Sequence, residues 1–198
     1  MSHYFESKQH SDEKQISFNA ELFGQTFTFF CSSGMFSVGK LDLGAQILTT
    51  YADIKANDTV LDLGCSYGVV GIAIAKHYGV QTFLVDINER AVSYAKKNIE
   101  KNNVSQKSIA IVSDGFQKLK DKTFSVILFN PPQHAGKQLC LDLIKESKEH
   151  LTQGGSLQVV CRHNRGGASF EKYMQELFGN VEPLKRKSGY RVYKSIKN

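Results

Sequence analysis

Residues 61–71 of this chain read LDLGCSYGVVG, and this stretch decides the fold class. The short apolar segment 59–63 has the length of a buried strand, and a helix is predicted over residues 68–78. The glycines between them let the backbone turn sharply and approach a bound ligand closely. They stand further apart than the glycines of the dinucleotide-binding fingerprint. The stretch therefore predicts a strand, a ligand-binding loop and a helix, but it does not identify the ligand.

Strand and helix patterns alternate through the rest of the chain. Seven strands are predicted, at residues 59–63, 81–85, 108–112, 124–129, 156–161, 181–187 and 190–196. Helices are predicted at residues 68–78, 88–102, 136–151 and 167–178, and the turn Gly154–Gly155 is expected after the third of these. Such alternation is typical of a parallel sheet covered on both faces. The predicted fold class is α/β, with a Rossmann-like, doubly wound, mostly parallel seven-stranded sheet. Its last strand is expected to be antiparallel because residues 187–189 suit a hairpin.

The segment before residue 53 has a different pattern. Residues 16–30 alternate and carry many aromatic side chains around Gly24, which predicts a β-hairpin. Residues 41–52 place apolar side chains on one helical face. We therefore expect an N-terminal hairpin and helix extension over residues 1–52, packed on an α/β domain over residues 53–198.

Composition argues against several classes of protein. Hydrophobic residues make up 41% of the 198 residues and charged residues 22%, an ordinary globular balance. No apolar run approaches the roughly 18 residues that span a bilayer, and residues 1–15 lack the apolar stretch of a signal peptide. We therefore expect a cytoplasmic protein without membrane contact. The four cysteines form no CxxC pair and have no histidine at zinc-ligand spacing, so we expect buried thiols and no metal site.

The positive charge is concentrated near the C-terminus. The net charge is +6, and residues 185–197 contain six basic residues and no acidic one. These are Lys185, Arg186, Lys187, Arg191, Lys194 and Lys197. Two interpretations stay open: lysines that protect a solvated sheet edge, or a direct contact with a polyanion such as RNA.

Three acidic residues stand at or just after the ends of predicted strands, where ligands of parallel sheets bind. Asp62 stands in the first glycine loop, where it can accept hydrogen bonds from loop amides and from the ammonium of a methionine moiety. Asp86 ends the second strand and can accept both hydroxyls of a ribose, as in NAD sites. Asp114 can accept from the exocyclic amine of adenine, while Phe116 or Ile87 covers the ring.

The fourth strand is followed by Asn130-Pro131-Pro132-Gln133. Asn130 supplies a side-chain oxygen acceptor, and the prolines stiffen the backbone so that its carbonyls can face a substrate. Together these acceptors can hold both hydrogens of an NH2 group and direct its lone pair at a methyl donor. Methyl transfer needs alignment more than acid–base help, so we expect no dedicated general base.

The motifs DLGCSYG, LVDIN, SDGF and NPPQHAG, in this order, resemble the class I S-adenosylmethionine (SAM) methyltransferases of the Asn-Pro-Pro group. Phe36-Ser37 through Asp42, followed by NPP-x-H-x-G, also resembles the catalytic domain of the small-subunit ribosomal-RNA guanine-N2 methyltransferases and its archaeal single-domain relatives. The resemblance extends over about residues 20–195. It implies that residues 53–198 form the methyltransferase domain, with SAM as cofactor and S-adenosylhomocysteine as product.

The resemblance implies roles for individual residues. The expected cofactor contacts are Asp62, Gly64, Cys65, Gly68, Asp86, Ile87, Asp114, Gly115, Phe116 and Asn130. The expected catalytic residues, which hold the target amine, are Asn130, Pro131 and Pro132. The expected substrate contacts are Phe36, Lys40, Gln133, His134 and Tyr190.

One position departs from the family pattern. Many members have an aromatic residue after the two prolines, where this chain has Gln133. Either Phe36, His134 or Tyr190 stacks on the target base, or the acceptor is not a flipped base. The bacterial ribosomal-RNA enzymes also carry an N-terminal recognition domain, which we do not expect in this chain. RNA recognition here is therefore expected to depend on the basic C-terminal strands or on a partner protein.

The sequence leaves several functions open. The leading prediction is methylation of an exocyclic base amine, guanine N2, in ribosomal or transfer RNA. A protein glutamine amide or a small-molecule amine would suit the Asn-Pro-Pro motif equally well. A non-catalytic SAM-binding or RNA-binding module and an NAD-dependent oxidoreductase are also compatible with the sequence.

Overall fold

The computed structural model describes residues 14–132 and 136–198. Nine strands run in chain order as β1 (Gln15–Leu22), β2 (Gln25–Ser32), β3 (Thr59–Leu63), β4 (Gln81–Asp86), β5 (Ser108–Val112), β6 (Phe124–Phe129), β7 (Leu151–Arg162), β8 (Glu182–Lys187) and β9 (Tyr190–Ile196) within the described part of the chain. The α-helices of the same residues are α1 (Leu43–Tyr51), α2 (Val69–Tyr78), α3 (Glu89–Lys101), α4 (Lys137–Glu149) and α5 (Ala168–Phe178). A π-helical turn, His163–Gly167, leads into α5.

Seven strands form one sheet in the order β5-β4-β3-β6-β7-β9-β8. Strands β3 to β7 are parallel, and β9 pairs antiparallel with both β7 and β8. The predicted seven-stranded Rossmann-like sheet is thus confirmed, as is the closing hairpin. Both hairpin residues have positive φ, 49° at Ser188 and 78° at Gly189, as a two-residue hairpin turn requires. The strand order reverses between β3 and β6, so the sheet opens a crevice at the carboxyl ends of these strands.

Helices cover both faces of the sheet. Alternate residues of each strand point to opposite faces, so each face has its own apolar cluster beneath its helices. Val60, Val126 and Val160 belong to the apolar cluster under α1 and α2. Leu61, Ile127 and Val159, one residue away in each strand, pack instead in the cluster under α4 and α5. The side chains at the strand ends therefore lie between two rigid layers.

The N-terminal hairpin is a separate two-stranded sheet that packs on α3. Two buried asparagines, Asn98 in α3 and Asn102 directly after it, bind the open edge of β2. Asn98 exchanges hydrogen bonds of 2.8 Å with the main-chain N–H and C=O of Phe30. Asn102 does the same with Thr28, at 3.3 and 2.9 Å. These side chains satisfy the strand's backbone groups as another strand would. The division at residue 52 remains a prediction.

The prediction of a turn at Gly154–Gly155 is wrong. Helix α4 ends at Glu149, and β7 begins at Leu151 and runs through both glycines. The glycines belong to a bulge, because β6 pairs Phe124 with Leu151 but Val126 with Ser156. Gly154 has a φ of 75°, and a Cβ on Gly155 would lie 2.9 Å from the carbonyl oxygen of Ser125. The glycines therefore serve a β-bulge, which sequence cues did not separate from a turn.

Three further findings bear on the composition. All four cysteines are buried and unpaired, as predicted. Among the helices of the described residues, none has the length and hydropathy to cross a bilayer. The described residues also contain no cluster of three or more potential metal ligands.

Candidate active site

A cavity of about 600 Å³ lies at the carboxyl ends of the parallel strands, on both sides of the reversal in strand order. Its size is in the range of pockets that hold small-molecule ligands. Twelve predicted site residues line it: Phe36, Asp62, Gly64, Cys65, Asp86, Ile87, Asp114, Gly115, Asn130, Pro131, Pro132 and Tyr190. The structure therefore brings residues from six separate segments to one place.

Asp62 lies at the base of this cavity, near the end of β3. Its side chain is 3% exposed, and its Oδ2 accepts a hydrogen bond of 2.8 Å from the Gly71 amide of α2. Burial, reinforced by the charge of nearby Asp86, raises the pKa of the Asp62 carboxyl to about 7. A buried carboxyl with a raised pKa gains from a cationic ligand group, since a positive charge stabilises its ionised form.

Asp86 joins two ligand-facing loops. Its Oδ2 accepts from the Ser66 amide at 2.8 Å, and its Oδ1 accepts from the Asn88 amide at 2.9 Å. Asn88 in turn caps α3 through its side-chain oxygen. The carboxylate of Asp86 thus fixes the glycine loop relative to the start of the next helix.

The loop after β5 contains some, but not all, of the cofactor contacts that were predicted for it. Asp114, Gly115 and Ile87 line the cavity, but the Phe116 ring does not. That ring is 1% exposed and stacks on His150, with 4.4 Å between ring centroids. The expectation that Phe116 covers an adenine is therefore corrected, because its ring belongs to the core under α4.

Asn130, directly after β6, is held by an acid that the sequence did not single out as a site residue. Its side-chain nitrogen donates to Oδ2 of Asp42 at 3.1 Å. The same oxygen accepts from the Ala45 amide at 2.8 Å and so caps α1. Because a carboxylate only accepts, the amide NH2 of Asn130 must face Asp42. The acceptor oxygen of Asn130 is left for another partner.

Gly44 lies against this pair. A Cβ on Gly44 would be 2.9 Å from Oδ2 of Asp42, 3.1 Å from Oδ1 of Asn130 and 3.3 Å from Cε1 of Tyr190. The first turn of α1 can approach the Asn130 side chain only because residue 44 has no side chain. Asp42 itself lines the cavity.

The two prolines complete this wall. Pro131 is buried and Pro132 half-buried, and both line the cavity. Gln133 and His134 lie outside the described residues, so their predicted contacts stay predictions.

The last residue of β7 and the first residue of β9 form the rim of the cavity across from Asn130 and the prolines. Tyr190 and Arg162 both line the cavity, and the Arg162 guanidinium lies 5.0 Å from the centroid of the Tyr190 ring. Tyr190 was predicted as a substrate contact, whereas Arg162 was not.

The loop between the hairpin and α1 covers part of the cavity. Phe36 lines it and is 45% exposed. The Tyr67 hydroxyl donates to the main-chain oxygen of Ser37 at 3.1 Å, which ties this loop to the glycine loop. Lys40 does not line the cavity. Its carbonyl, 3.4 Å from the Tyr67 hydroxyl, helps to fix the loop instead.

Gly68 also differs from its predicted role. It does not line the cavity, but caps α2 with a φ of 92°. A Cβ there would lie 2.9 Å from side-chain atoms of both Ile72 and Leu84. Gly68 therefore allows α2 to pack on the sheet and does not itself face a ligand.

Several lining residues were missed from the sequence. They are Asp42, Ser66, Ser113, Leu139, Leu143 and Arg162. For Asp42 a signal existed, because an aspartate before an apolar helix is a common N-cap. Leu139 and Leu143 are four residues apart on α4, a spacing that sequence alone assigns equally to a core face.

Comparisons with known proteins agree with this geometry. The family model described as "Methyltransferase small domain" matches residues 26–194. The chain is 32% identical to the uncharacterized protein YbxB of Bacillus subtilis, over 98% of both chains. It is 34% identical to ribosomal RNA small subunit methyltransferase C of Haemophilus influenzae, over 88% of this chain and 52% of that protein.

A solved structure supports the similarity to ribosomal RNA small subunit methyltransferase C. The fold matches that of the T. thermophilus 16S rRNA N2 G1207 methyltransferase (RsmC) in complex with AdoMet and guanosine, with a TM-score of 0.82 and 26% identity. The match covers 93% of this chain and 51% of that one. The chain thus spans about half the length of the RsmC proteins that it matches.

Proposed function

We propose that this chain, which belongs to the methyltransferase small domain family and is a SAM-dependent methyltransferase, methylates the N2 amine of guanine in RNA. Two observations support RNA as the acceptor. Relatives at 31–34% identity are ribosomal RNA small subunit methyltransferases C. The matching T. thermophilus structure carries guanosine together with AdoMet.

The cavity fits the cofactor that we assign to it. It is large enough for a nucleoside with a side chain, and at its base the buried Asp62 carboxyl can face the ammonium of the methionine part. The buried hydroxyl of Ser66 has no hydrogen-bond partner within the described parts of the chain, and Ser66 lines the cavity. A buried hydroxyl without a partner is costly, so a bound ligand is a natural source of one.

We assign the cofactor contacts by position. Asp62, Gly64 and Cys65 would hold the methionine part, and Asp86, at the end of β4, the ribose. Asp114 would accept from the adenine amine, with Ile87 against the ring. When bound, the cofactor would supply a methyl group on a sulfonium. The nitrogen–methyl bond would form as the sulfur–methyl bond breaks, with S-adenosylhomocysteine as the leaving group and one N–H proton released to solvent.

The Asn130–Asp42 hydrogen bond is the observation that carries the catalytic assignment. It turns the acceptor oxygen of Asn130 away from Asp42, so that this oxygen and the main-chain carbonyl of Pro131 can accept both hydrogens of a primary amine. The nitrogen lone pair is then held in one direction. Such positioning can lower a barrier by roughly 7–11 kcal/mol, which is why no side chain is needed as a general base.

We assign the contact with the target base to two aromatic rings at the cavity. Phe36 and Tyr190 both line it, and 45% of Phe36 is exposed. Either ring can supply the stacking that an aromatic residue at position 133 supplies in other family members. A base extruded from its stack needs such a surface to repay the unstacking energy.

Nucleoside mass spectrometry tests this function. Purified protein is incubated with SAM and unmodified RNA, and we expect N2-methylguanosine among the digested nucleosides. Asn130→Ala should abolish transfer but leave the Kd for SAM within a few-fold. Asp86→Ala should raise that Kd itself, because it removes a cofactor contact and the acceptor of two loop amides. Methyl transfer to protein or metabolites and not to RNA would refute guanine N2 as the target.

A further inference from the structure

We propose that the RNA backbone next to the target base is bound by a basic strip consisting of Arg162, Lys187 and Lys185. This inference rests on the proposed function, since it requires RNA as the acceptor. It goes further by assigning the surface that holds the RNA and by excluding the other four basic residues of the segment 185–197.

The strip follows from the register of the three edge strands. Tyr190 of β9 pairs with Arg162 of β7 on one side and with Lys187 of β8 on the other. Paired residues of antiparallel strands point to the same face of a sheet. Arg162, Tyr190 and Lys187 thus form one row that begins at the cavity.

The next row of paired residues on the same face adds one further cation to the strip. Val192 pairs with Val160 and with Lys185. Both valines are buried beneath α1, so only Lys185 of this row reaches the surface. The three cations therefore run from the lip of the cavity along the α1 side of the outer strand.

The neighbouring aromatic residues fix where these cations lie. The ammonium groups of Lys185 and Lys187 lie 4.5 and 5.8 Å from the centroid of the Tyr51 ring, and Arg162 lies over Tyr190. Contacts of this kind are weakly stabilising at a surface and leave the N–H donors available to an anion. The two lysines are thus ordered without being neutralised, while Arg162 also hydrogen-bonds the Tyr190 side chain and lies near the Asp42 carboxylate.

The other C-terminal cations are engaged elsewhere. Lys194 binds Asp53 at 2.8 Å and Glu182 at 3.4 Å, and Arg191 lies 3.6 Å from Glu171. The Lys197 ammonium donates to the carbonyl of Leu151 at 2.8 Å. Arg186 pairs with Arg191 and so points to the opposite face.

In contrast, no ion pair involves Arg162, Lys185 or Lys187 within residues 14–132 and 136–198. An RNA phosphate neutralises such cations favourably, because it releases condensed counterions. The strip begins at the proposed base pocket, so a nucleotide whose base enters the cavity brings its neighbouring phosphates to these side chains. Lysines that only protect the edge of β8 would need no such alignment with the cavity.

A double variant with a matched control tests the strip. Lys185→Gln/Lys187→Gln removes two charges from it. Lys97→Gln/Lys122→Gln removes the same charge from lysines that also lie over aromatic rings, Tyr94 and Phe83, away from the cavity. The probe is a short, fluorescently labelled single-stranded RNA, and its Kd is measured between about 50 and 200 mM KCl.

We expect the strip variant to bind this RNA roughly tenfold more weakly near physiological salt, with a salt slope lower by about 1.4, since each single-strand phosphate contact contributes about 0.7. The control variant should keep the wild-type Kd within about twofold. Equal weakening in both variants, or none in either, overturns the strip, as does a failure of the wild-type protein to bind RNA. Formation of N2-methylguanosine is scored separately, so the strip can fail while the proposed function holds. Preferential binding of an acidic peptide would assign the strip to a protein partner instead.

Discussion

The side-chain amide of Asn130 donates a hydrogen bond of 3.1 Å to the carboxylate of Asp42, a residue 88 positions earlier in the chain. The same carboxylate oxygen caps α1 through the Ala45 amide. The direction of the Asn130 amide is therefore set by a helix terminus and not only by the strand that carries Asn130. This relationship connects the helix before residue 53 with the proposed chemistry of the α/β domain.

Replacing Asp42 should impair methyl transfer more than cofactor binding. In Asp42→Ala the Asn130 amide loses its acceptor and can rotate, and a misplacement of about 1 Å at a reacting centre can lower the rate about a hundredfold. We expect kcat to fall on that scale while the Kd for SAM, measured by calorimetry, changes less than about threefold.

Asp42→Ser separates positioning from capping. Serine is a good N-cap residue, so it should recover most of the roughly 1 kcal/mol that Asp42→Ala costs in stability. Its shorter side chain does not supply the carboxylate that holds Asn130. If Asp42→Ser restored wild-type kcat together with stability, Asp42 would serve α1 alone.

Gly44→Ala tests the same cluster through packing. Alanine should favour α1 intrinsically by up to about 1 kcal/mol. Its Cβ, however, would lie 2.9 Å from Asp42 and 3.1 Å from Asn130, so one of these must move. We expect a lower kcat despite the better helix propensity, as measured by single-turnover transfer. Thr50→Ala, at an exposed position of the same helix, should leave kcat unchanged; equal kcat in both variants would contradict the packing argument.

The sheet and the cofactor half of the site were predictable because their signals are local. Strands β3 to β6 are short, mainly apolar runs, and the acids Asp62, Asp86 and Asp114 lie at or just after strand ends that meet at one edge of a parallel sheet. Placing these acids together requires only the fold class. The loop residues Asn130, Pro131 and Pro132 follow by the same reasoning.

What the sequence did not reveal depends on side-chain direction and on distant contacts. The ring of Phe116 points into the core although its neighbour Gly115 lines the cavity. Asp42 is explained by its role as a helix cap and Asn130 by its position after a strand, so nothing in the sequence indicated that the two side chains contact each other. The six C-terminal cations look alike in the sequence. The register of β7, β8 and β9 separates those that face the α1 side, and ion pairs with Asp53 and Glu182 then separate Lys194 from Lys185 and Lys187.

The Asp62 carboxyl predicts opposite pH dependences for stability and for binding. Its pKa is about 7 in the folded protein and near 3.8 when unfolded. Between these values the folded state binds more protons than the unfolded state, so this group makes the ligand-free protein less stable as pH rises from about 4 to about 7. SAM binding should instead strengthen as pH rises towards about 7, because only the ionised carboxylate attracts an ammonium.

Asp62→Asn is the control for this pH dependence. The asparagine retains an oxygen acceptor for the Gly71 amide but does not titrate. Its Tm should vary less between about pH 5 and pH 8 than that of the wild-type protein, and its Kd for SAM should be weaker and nearly independent of pH. A wild-type Kd that is flat over this range would show that Asp62 does not face the cofactor's ammonium.

Tyr67→Phe should loosen the loop that carries Phe36. The variant keeps the buried ring, which packs against Phe18 and Phe29, but removes the hydroxyl that donates to the Ser37 carbonyl. A hydrogen bond of this kind contributes about 1 kcal/mol, so we expect KM for the RNA acceptor to rise about fivefold. Faster amide hydrogen exchange across residues 33–40 should accompany that rise, because the loop loses its hydrogen bond to the glycine loop.

Tyr78→Phe, which removes a hydroxyl outside the cavity, serves as the control. Unchanged exchange in Tyr67→Phe would mean that other contacts hold Phe36 at the cavity.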